Sequence, residues 1–489
     1  MGRLNPEGDP PSGHRKQRSP NMINRSSGRR GQSTIPEEPR PYVGFAMDAT
    51  GQTSGLAQGG VHTLVLAGSG VGKSRRVLVP SICLWEESVV AVSAKSDLAE
   101  MSARIRASRG GPMYVMDLTG QADWAKLPDD VIRVASDPCA LLTWDENGSN
   151  DDSALGLAEL LTKLGTLGMG GTGGGGGDSA FWMQLALGTL ACLVQAGGYY
   201  PDPETGEHIW GGGIDWVMRA ALDTGDGEED AEGDLTTPNW NTAARRAALM
   251  DSAHVDEVIA SKLLDPKQRD SIGINLRVAL GNWKKRTVRG KAGDVPFSPD
   301  LLEQPGSTLY LVSPDDGGGA SAAASVIESL VRHWKQHAIT RRLPKIQMVI
   351  DECPQICPLP NLDQYIGVMR SYGMHFLVAT QHSSQFEKRF GEKDAKVLLN
   401  IFPSILVGVG AIEKELIDQA AWTVKPTERK VSSIGSGGQE NVSADQTTSL
   451  TGAELLPRSM DEARLIVRGL PGTLVKLVDY EHMMSRAAA

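Results

Sequence analysis

The residues predict an α/β fold, a mostly parallel β-sheet flanked by helices, built around a phosphate-binding loop and interrupted by an inserted all-helical domain. Three observations carry that expectation. The apolar run His62-Thr63-Leu64-Val65-Leu66 leads directly into Ala67-Gly68-Ser69-Gly70-Val71-Gly72-Lys73-Ser74. Around that stretch, short apolar runs alternate with helix-length segments, the spacing of parallel strands joined by helical crossovers. Far downstream, the apolar run Ile346-Gln347-Met348-Val349-Ile350 ends in the paired acids Asp351-Glu352.

Composition narrows the class. A chain of 489 residues has room for two or three domains of about 100 to 200 residues each. No apolar run approaches the roughly 18 residues of a spanning helix, and the opening MGRLNPEGDPPSGHRKQRSP has no apolar core of a secretory signal. The expected location is the cytoplasm. Cys83, Cys139, Cys192, Cys353 and Cys357 are too few and too scattered for a disulfide framework. Cys353 and Cys357 also lack a second Cys/His pair to complete a zinc tetrahedron. A net charge of −10 argues against a surface uniformly coated for nucleic acid but leaves room for a local basic channel.

Taken in order, residues 1–42 are rich in Pro, Gly, Ser and Arg and cannot bury enough surface to order themselves. They predict a disordered basic arm carrying Arg15, Lys16, Arg18, Arg25, Arg29 and Arg30. It is either a solvated tail or an electrostatic tether to DNA, an anionic membrane face or a partner.

Residues 43–145 predict the first part of a nucleotide-binding domain. In the loop, the backbone N–H groups of Gly68, Ser69, Gly70, Val71 and Gly72 can curl around phosphate oxygens, with a helix start behind them. Lys73 would neutralise the β and γ phosphates of ATP and the Ser74 hydroxyl would hold Mg²⁺. Ala67 stands where the strict pattern has glycine. A helix over 75–85, a strand over 88–93, a helix over 97–107 and a strand over 112–116 follow.

Residues 146–295 predict the inserted all-helical domain. Its helices are expected over 153–164, 181–196, 239–264 and 267–283. The run 168–177 reads as a hinge or disordered loop and 223–234 as an acidic surface loop. Trp283-Lys284-Lys285-Arg286, with Arg289 and Lys291 beyond, either grips phosphates and stacks on a base or is a solvated helix end whose cations suit the dipole.

Residues 296–489 predict the second part of the nucleotide-binding domain, with strands over 307–313, 346–350, 374–379, 405–409 and 473–479. Helices are expected over 320–339 and 362–370, and a mobile polar loop over 434–448. At the end of its strand, Asp351 can hold the Mg²⁺ shell, while Glu352 can orient and deprotonate the attacking water. Gln381, at the end of the 374–379 strand, is placed to report on the γ-phosphate.

Assembled, these pieces resemble the coupling-protein ATPases of type IV secretion and bacterial conjugation, hexameric motors that pass DNA to a transfer channel. The resemblance spans roughly 43 to 482. It rests on AGSGVGKSRRVLVPSICLW, SVVAVSAKSDL, FWMQLALGTLACL, QMVIDECPQICPLPNL, VMRSYGMHFLVATQHSSQFEKRFGEKDAKVLLN and RGLPGTLVKLVDY, in the family's order. It implies a RecA-like P-loop core and a homo-hexamer using ATP and Mg²⁺, with Lys73 and Ser74 as nucleotide and metal ligands. It further implies Asp351 as the Mg²⁺-shell acid, Glu352 as catalytic base, Arg370 as an arginine finger reaching a neighbouring subunit, and Gln381 as phosphate sensor.

The implied partners are single-stranded DNA with a bound relaxase and the proteins of a type IV secretion channel. The family usually begins with spanning helices where this chain has a polar arm. Anchoring is therefore expected either from a separate membrane-anchoring subunit, which would hold the protein at the inner face of the membrane, or not at all. The family's Asp-x-Lys-Gly-Glu-like block appears as Ser93-Ala94-Lys95-Ser96-Asp97, which leaves Lys95 without a role. Two other readings use the same residues: a nucleotide-switched platform that recruits proteins for secretion, and a chromosome-segregation or packaging translocase.

Overall fold

The computed structural model describes residues 38–48, 50–168, 177–226, 233–291, 293–315, 319–411, 413–422, 427–434, 440–447, 456–470 and 472–487. The basic arm up to residue 37, most of the glycine run and the centre of the acidic loop lie outside the described residues.

The first part of the chain contributes β1 (Phe45–Met47), β2 (Thr53–Leu56), β3 (Thr63–Leu66), β4 (Ser88–Ser93), β5 (Met113–Asp117) and β6 (Ile132–Ala135). A small hairpin, β7 (Tyr199–Pro201) and β8 (His208–Trp210), lies among the helices that follow. Next come β9 (Val295–Pro296), β10 (Thr308–Val312), β11 (Ile346–Ile350), β12 (Met374–Thr380) and β13 (Ser404–Gly408). The last strands are β14 (Thr427–Ile434), β15 (Glu440–Thr447), β16 (Glu462–Val467) and β17 (Thr473–Lys476).

One large sheet takes the order β2-β1-β17-β16-β13-β3-β12-β11-β4-β10-β5-β6-β9. Every pairing from β13 to β9 is parallel, and those from β13 to β2 are antiparallel. Strands from before and after the helical segment interleave, since β4 lies between β11 and β10. That crossing brings residues nearly three hundred positions apart to one sheet edge.

Strands β3, β4, β10, β11 and β12 are buried along their whole length, so they read as continuous apolar runs, as strands covered on both faces do. Their alternation still sorts the two layers. Val65, Val89, Ala91, Val349 and Leu377 pack with α1 (Val79–Leu84) and α2 (Asp97–Arg106). Leu64, Leu66, Val90, Val92, Met348 and Ile350 point the other way. That face shares its core with α3 (Asp151–Gly168), α4 (Gly177–Gly197), α5 (Gly213–Ala220), α6 (Trp240–Leu249), α7 (His254–Lys262), α8 (Pro266–Ala279) and α9 (Ala320–His337).

Three local expectations are corrected. The helix expected over 239–264 is two helices, because the chain turns at Met250–Ala253 with Asp251 in the left-handed region (φ 53°). Segment 434–448 is not a loop throughout: Glu440–Thr447 pairs antiparallel with Thr427–Ile434. There, ladder hydrogen bonding outweighs the weak strand propensity of Ser, Asn and Asp. The segment 146–295 carries the β7/β8 hairpin besides its helices. No helix among the described residues is long and apolar enough to cross a membrane.

Candidate active site

Where β3 ends, the chain cannot stay in the sheet, and neighbouring strand ends hold it as it leaves. Ala67 N–H donates to Thr380 O at 3.3 Å, on the last residue of β12, and Gly68 N–H donates to Val409 O at 3.0 Å, just past β13. A Cβ at Gly68 would sit 3.2 Å from Gly410 Cα, so a side chain there would press the two glycine backbones apart by a few tenths of an ångström. Gly70 (φ 73°) and Gly72 (φ 83°) adopt left-handed backbone, which glycine takes without penalty. The loop then enters a wide π-helical turn, Ser74–Leu78, that runs on into α1. Lys73 and Ser74 therefore stand at a helix start aimed along the carboxyl edge of the sheet.

Strand β11 brings the acids to meet them. Asp351 N–H donates to Val92 O at 2.9 Å, extending the ladder with β4 by one residue. Lys73 Nζ lies 2.5 Å from Glu352 Oε1 and 3.3 Å from Asp351 Oδ1, with its side chain only 7% exposed. Ser74 Oγ donates to Asp351 Oδ2 at 3.3 Å. Glu352 itself sits at φ 43°, a conformation that a non-glycine residue holds only against steric cost and that concentrates at functional positions. Its Oε2 is buried without a hydrogen-bond partner among the described residues. The structure thus brings Lys73, Ser74, Asp351 and Glu352 together. The oxygen set of Ser74 and Asp351 suits a hard divalent cation, and the orphaned Glu352 oxygen is an acceptor ready for a water.

Gln381 follows Thr380, the residue paired with Leu66 of β3, so it stands beside the loop at the adjacent strand end. Its backbone N–H donates to Gln385 Oε1 at 3.2 Å. Arg370 is not at the site. It is exposed in the turn Met369–Tyr372, which precedes β12 and so lies at the opposite, amino edge of the parallel sheet.

Two further groups were not singled out in the sequence. Asp97 opens α2 just beyond β4 and accepts from Ser93 Oγ at 3.1 Å. Burial, and then the Asp351 charge, raise its carboxyl above the ordinary range. An acid at the first helical position after a core strand was the available signal, though many helices begin so. Glu413 is the second: Ser383 N–H and Oγ donate to its carboxylate at 2.7 and 2.8 Å. It thereby fastens the segment after Gln381 to the end of β13, and nothing in the local sequence marks it.

The basic cluster near residue 283 resolves differently from one of its two readings. Trp283 is fully buried and donates its indole N–H to Ser136 O at 3.1 Å, so it cannot stack on a base.

Residues 20–125 match the family model described as type IV secretory system conjugative DNA transfer, and residues 345–461 match the model described as the TraM recognition site of TraD and TraG. No curated protein matches the sequence. Among solved structures, the bacterial conjugative coupling protein TrwBΔN70 in its unbound monoclinic form is similar with a TM-score of 0.52. It shares 14% identity, covering 86% of this chain and 84% of that one. TrwB in complex with a non-hydrolysable ATP analogue gives a TM-score of 0.49 at 15% identity, covering 90% and 95%. VirB4 of Thermoanaerobacter pseudethanolicus gives 0.46 at 14%, covering 91% and 98%. The likeness to unbound TrwB is one of fold.

Proposed function

We propose that the chain is an ATP-driven DNA translocase of the coupling-protein kind found in conjugative type IV secretion, a reading supported by the family matches over residues 20–125 and 345–461. It recruits relaxase-bound single-stranded DNA and delivers it to a conjugative secretion channel, working as a homo-hexamer. The observation that carries this reading is the meeting of Lys73, Asp351 and Glu352 within 3.3 Å at the end of the glycine loop.

In this reading, the loop N–H groups and Lys73 hold the phosphates of ATP, and Ser74 and Asp351 hold Mg²⁺. The metal supplies charge neutralisation at the phosphates. Glu352 orients the attacking water and takes its proton, and Gln381 senses the γ-phosphate. Arg370 serves the site of the next subunit, where an arginine finger makes hydrolysis depend on assembly.

The test is ATP hydrolysis by the full chain with and without single-stranded DNA, at concentrations that assemble it. Stimulation by DNA is expected, and its absence at every such concentration would sink the motor reading. The match over residues 345–461 to a partner-recognition region keeps a second reading in play, a nucleotide-switched docking platform. A platform keeps its docking function in Glu352→Gln, whereas a motor stops.

A further inference from the structure

A large cavity lies away from the phosphate loop. It opens at the carboxyl ends of β5 and β6, has a volume of about 720 Å³, and is lined by Trp124, Arg133, Arg286, Arg289 and Lys291 among others. The topology accounts for it. After β5 the chain crosses one face of the sheet, where Trp124 packs against the layer of α1 and α2. After β6 it goes to the other face, into the core of the helical segment. Connections that part to opposite faces leave a crevice beyond the strand ends, which is where open parallel sheets take ligands.

The lining is chemically specific. The Arg133 guanidinium carbon lies over the Trp124 indole, 3.8 Å from the ring centroid, so the cavity wall carries a cation–π pair. Its acids are largely spoken for. Asp117 accepts from the N–H groups of Thr119, Gly120 and Ala122 and from the Thr119 hydroxyl, all at 2.7 to 3.0 Å. Asp294 accepts from Lys291 N–H at 2.8 Å, and Asp215 pairs with Arg289. No acid pairs with the exposed side chains of Arg286 and Lys291 among the described residues. On a chain of net charge −10, this is a local cationic pocket with a stacking wall, within the 300–1,000 Å³ range typical of small-molecule sites.

We propose that this crevice binds a nucleotidyl unit, with its base against the Arg133–Trp124 pair and its phosphate on Arg286 and Lys291, at a site separate from the phosphate loop. The unit is supplied either by a DNA strand or by a free nucleotide. The strand form deepens the translocase reading and rests on it, whereas the free form does not.

The test is fluorescence anisotropy of a labelled (dT)20 oligonucleotide on the full chain, with dTMP as competitor and a fluorescent ATP analogue reporting on the phosphate loop. Charge reversal, Arg286→Glu with Lys291→Glu, is expected to weaken oligonucleotide or dTMP binding at least tenfold and to flatten its salt dependence. ATP-analogue binding should stay unchanged. Trp124→Leu, which alters no charge, is expected to weaken the same binding several-fold, since stacking on an aromatic ring contributes on the order of 1–3 kcal/mol per base.

Competition by dTMP at wild-type affinity assigns the site to free nucleotides, and binding of the oligonucleotide alone assigns it to the strand. Wild-type affinity for both ligands in the charge-reversal variant overturns the proposal. So does a Trp124→Leu variant that binds as wild type, because the cations would then be a general charged surface. DNA-stimulated hydrolysis in the wild type judges the motor reading separately, so either idea can fail without the other.

Discussion

Glu352 pairs with Lys73 at 2.5 Å while its other oxygen is buried and unpartnered among the described residues, which fits a group that positions a water rather than one that merely neutralises the lysine. Glu352→Gln keeps the size and the hydrogen-bonding capacity but removes the base. Steady-state ATP hydrolysis should fall about 10²- to 10⁴-fold, the usual contribution of general-base catalysis, with ATP-analogue binding retained. A second acid bears on stability instead. Glu328 of α9 is buried, takes the Tyr365 hydroxyl as donor on Oε2, and leaves Oε1 unpartnered among the described residues. Burial pushes its carboxyl above the ordinary value of 4.5. The folded protein then holds that proton more tightly than the unfolded chain does. Stability therefore falls as pH rises from about 4.5 through the raised folded-state value. Urea midpoints of Glu328→Gln should lie above those of the wild type at pH 8, and the gap should close towards pH 4.5. A constant gap would remove the titration of Glu328 as its cause.

Among the elements, α2 is tied to the strand entrances by Arg106, which makes four hydrogen bonds there. Arg106, fully buried, donates to the carbonyls of Trp85, Glu87 and Gly306 and to Thr308 Oγ1. These groups lie at the entrances to β4 and β10, so a single guanidinium closes the amino edge where strands from the two halves of the chain meet. Burial lowers its pKa to about 10, still well above neutral. Arg106→Met would leave several buried carbonyls without donors, and chemical denaturation should register a loss of roughly 3 kcal/mol. Arg106→Lys should recover little, because an ammonium cannot match the planar fork. The core elements were legible from periodicity because β3, β4, β10, β11 and β12 are buried on both faces. The edge strands were not. β6 and β9 are short and partly exposed, and β14 and β15 draw their stability from each other rather than from composition.

For the whole molecule, the informative separation is between Arg370 and the phosphate loop. Strand β12 runs from Met374 to Thr380, and at about 3.3 Å per residue it sets Arg370 roughly 20 Å from the site of its own chain. A finger at that position acts on a neighbour or not at all. Arg370→Ala should therefore abolish hydrolysis while sparing nucleotide binding, with a loss on the order of 10³-fold or more. Mixing it with Glu352→Gln should restore part of the activity, since a site intact in one chain then meets a finger intact in the other. A mixture as inactive as its components would place Arg370 outside catalysis.

The nucleotide loop, the acid pair and the strand preceding each were determined by local order alone, because glycine spacing, apolar runs and terminal acids act over fewer than ten residues. Only the folded chain decided that Trp283 is a core residue, that Asp97 feels the Asp351 charge and Glu413 holds Ser383, and that a cationic crevice opens at the ends of β5 and β6. Each depends on which strands become neighbours, and that order is set by crossovers spanning the length of the polypeptide.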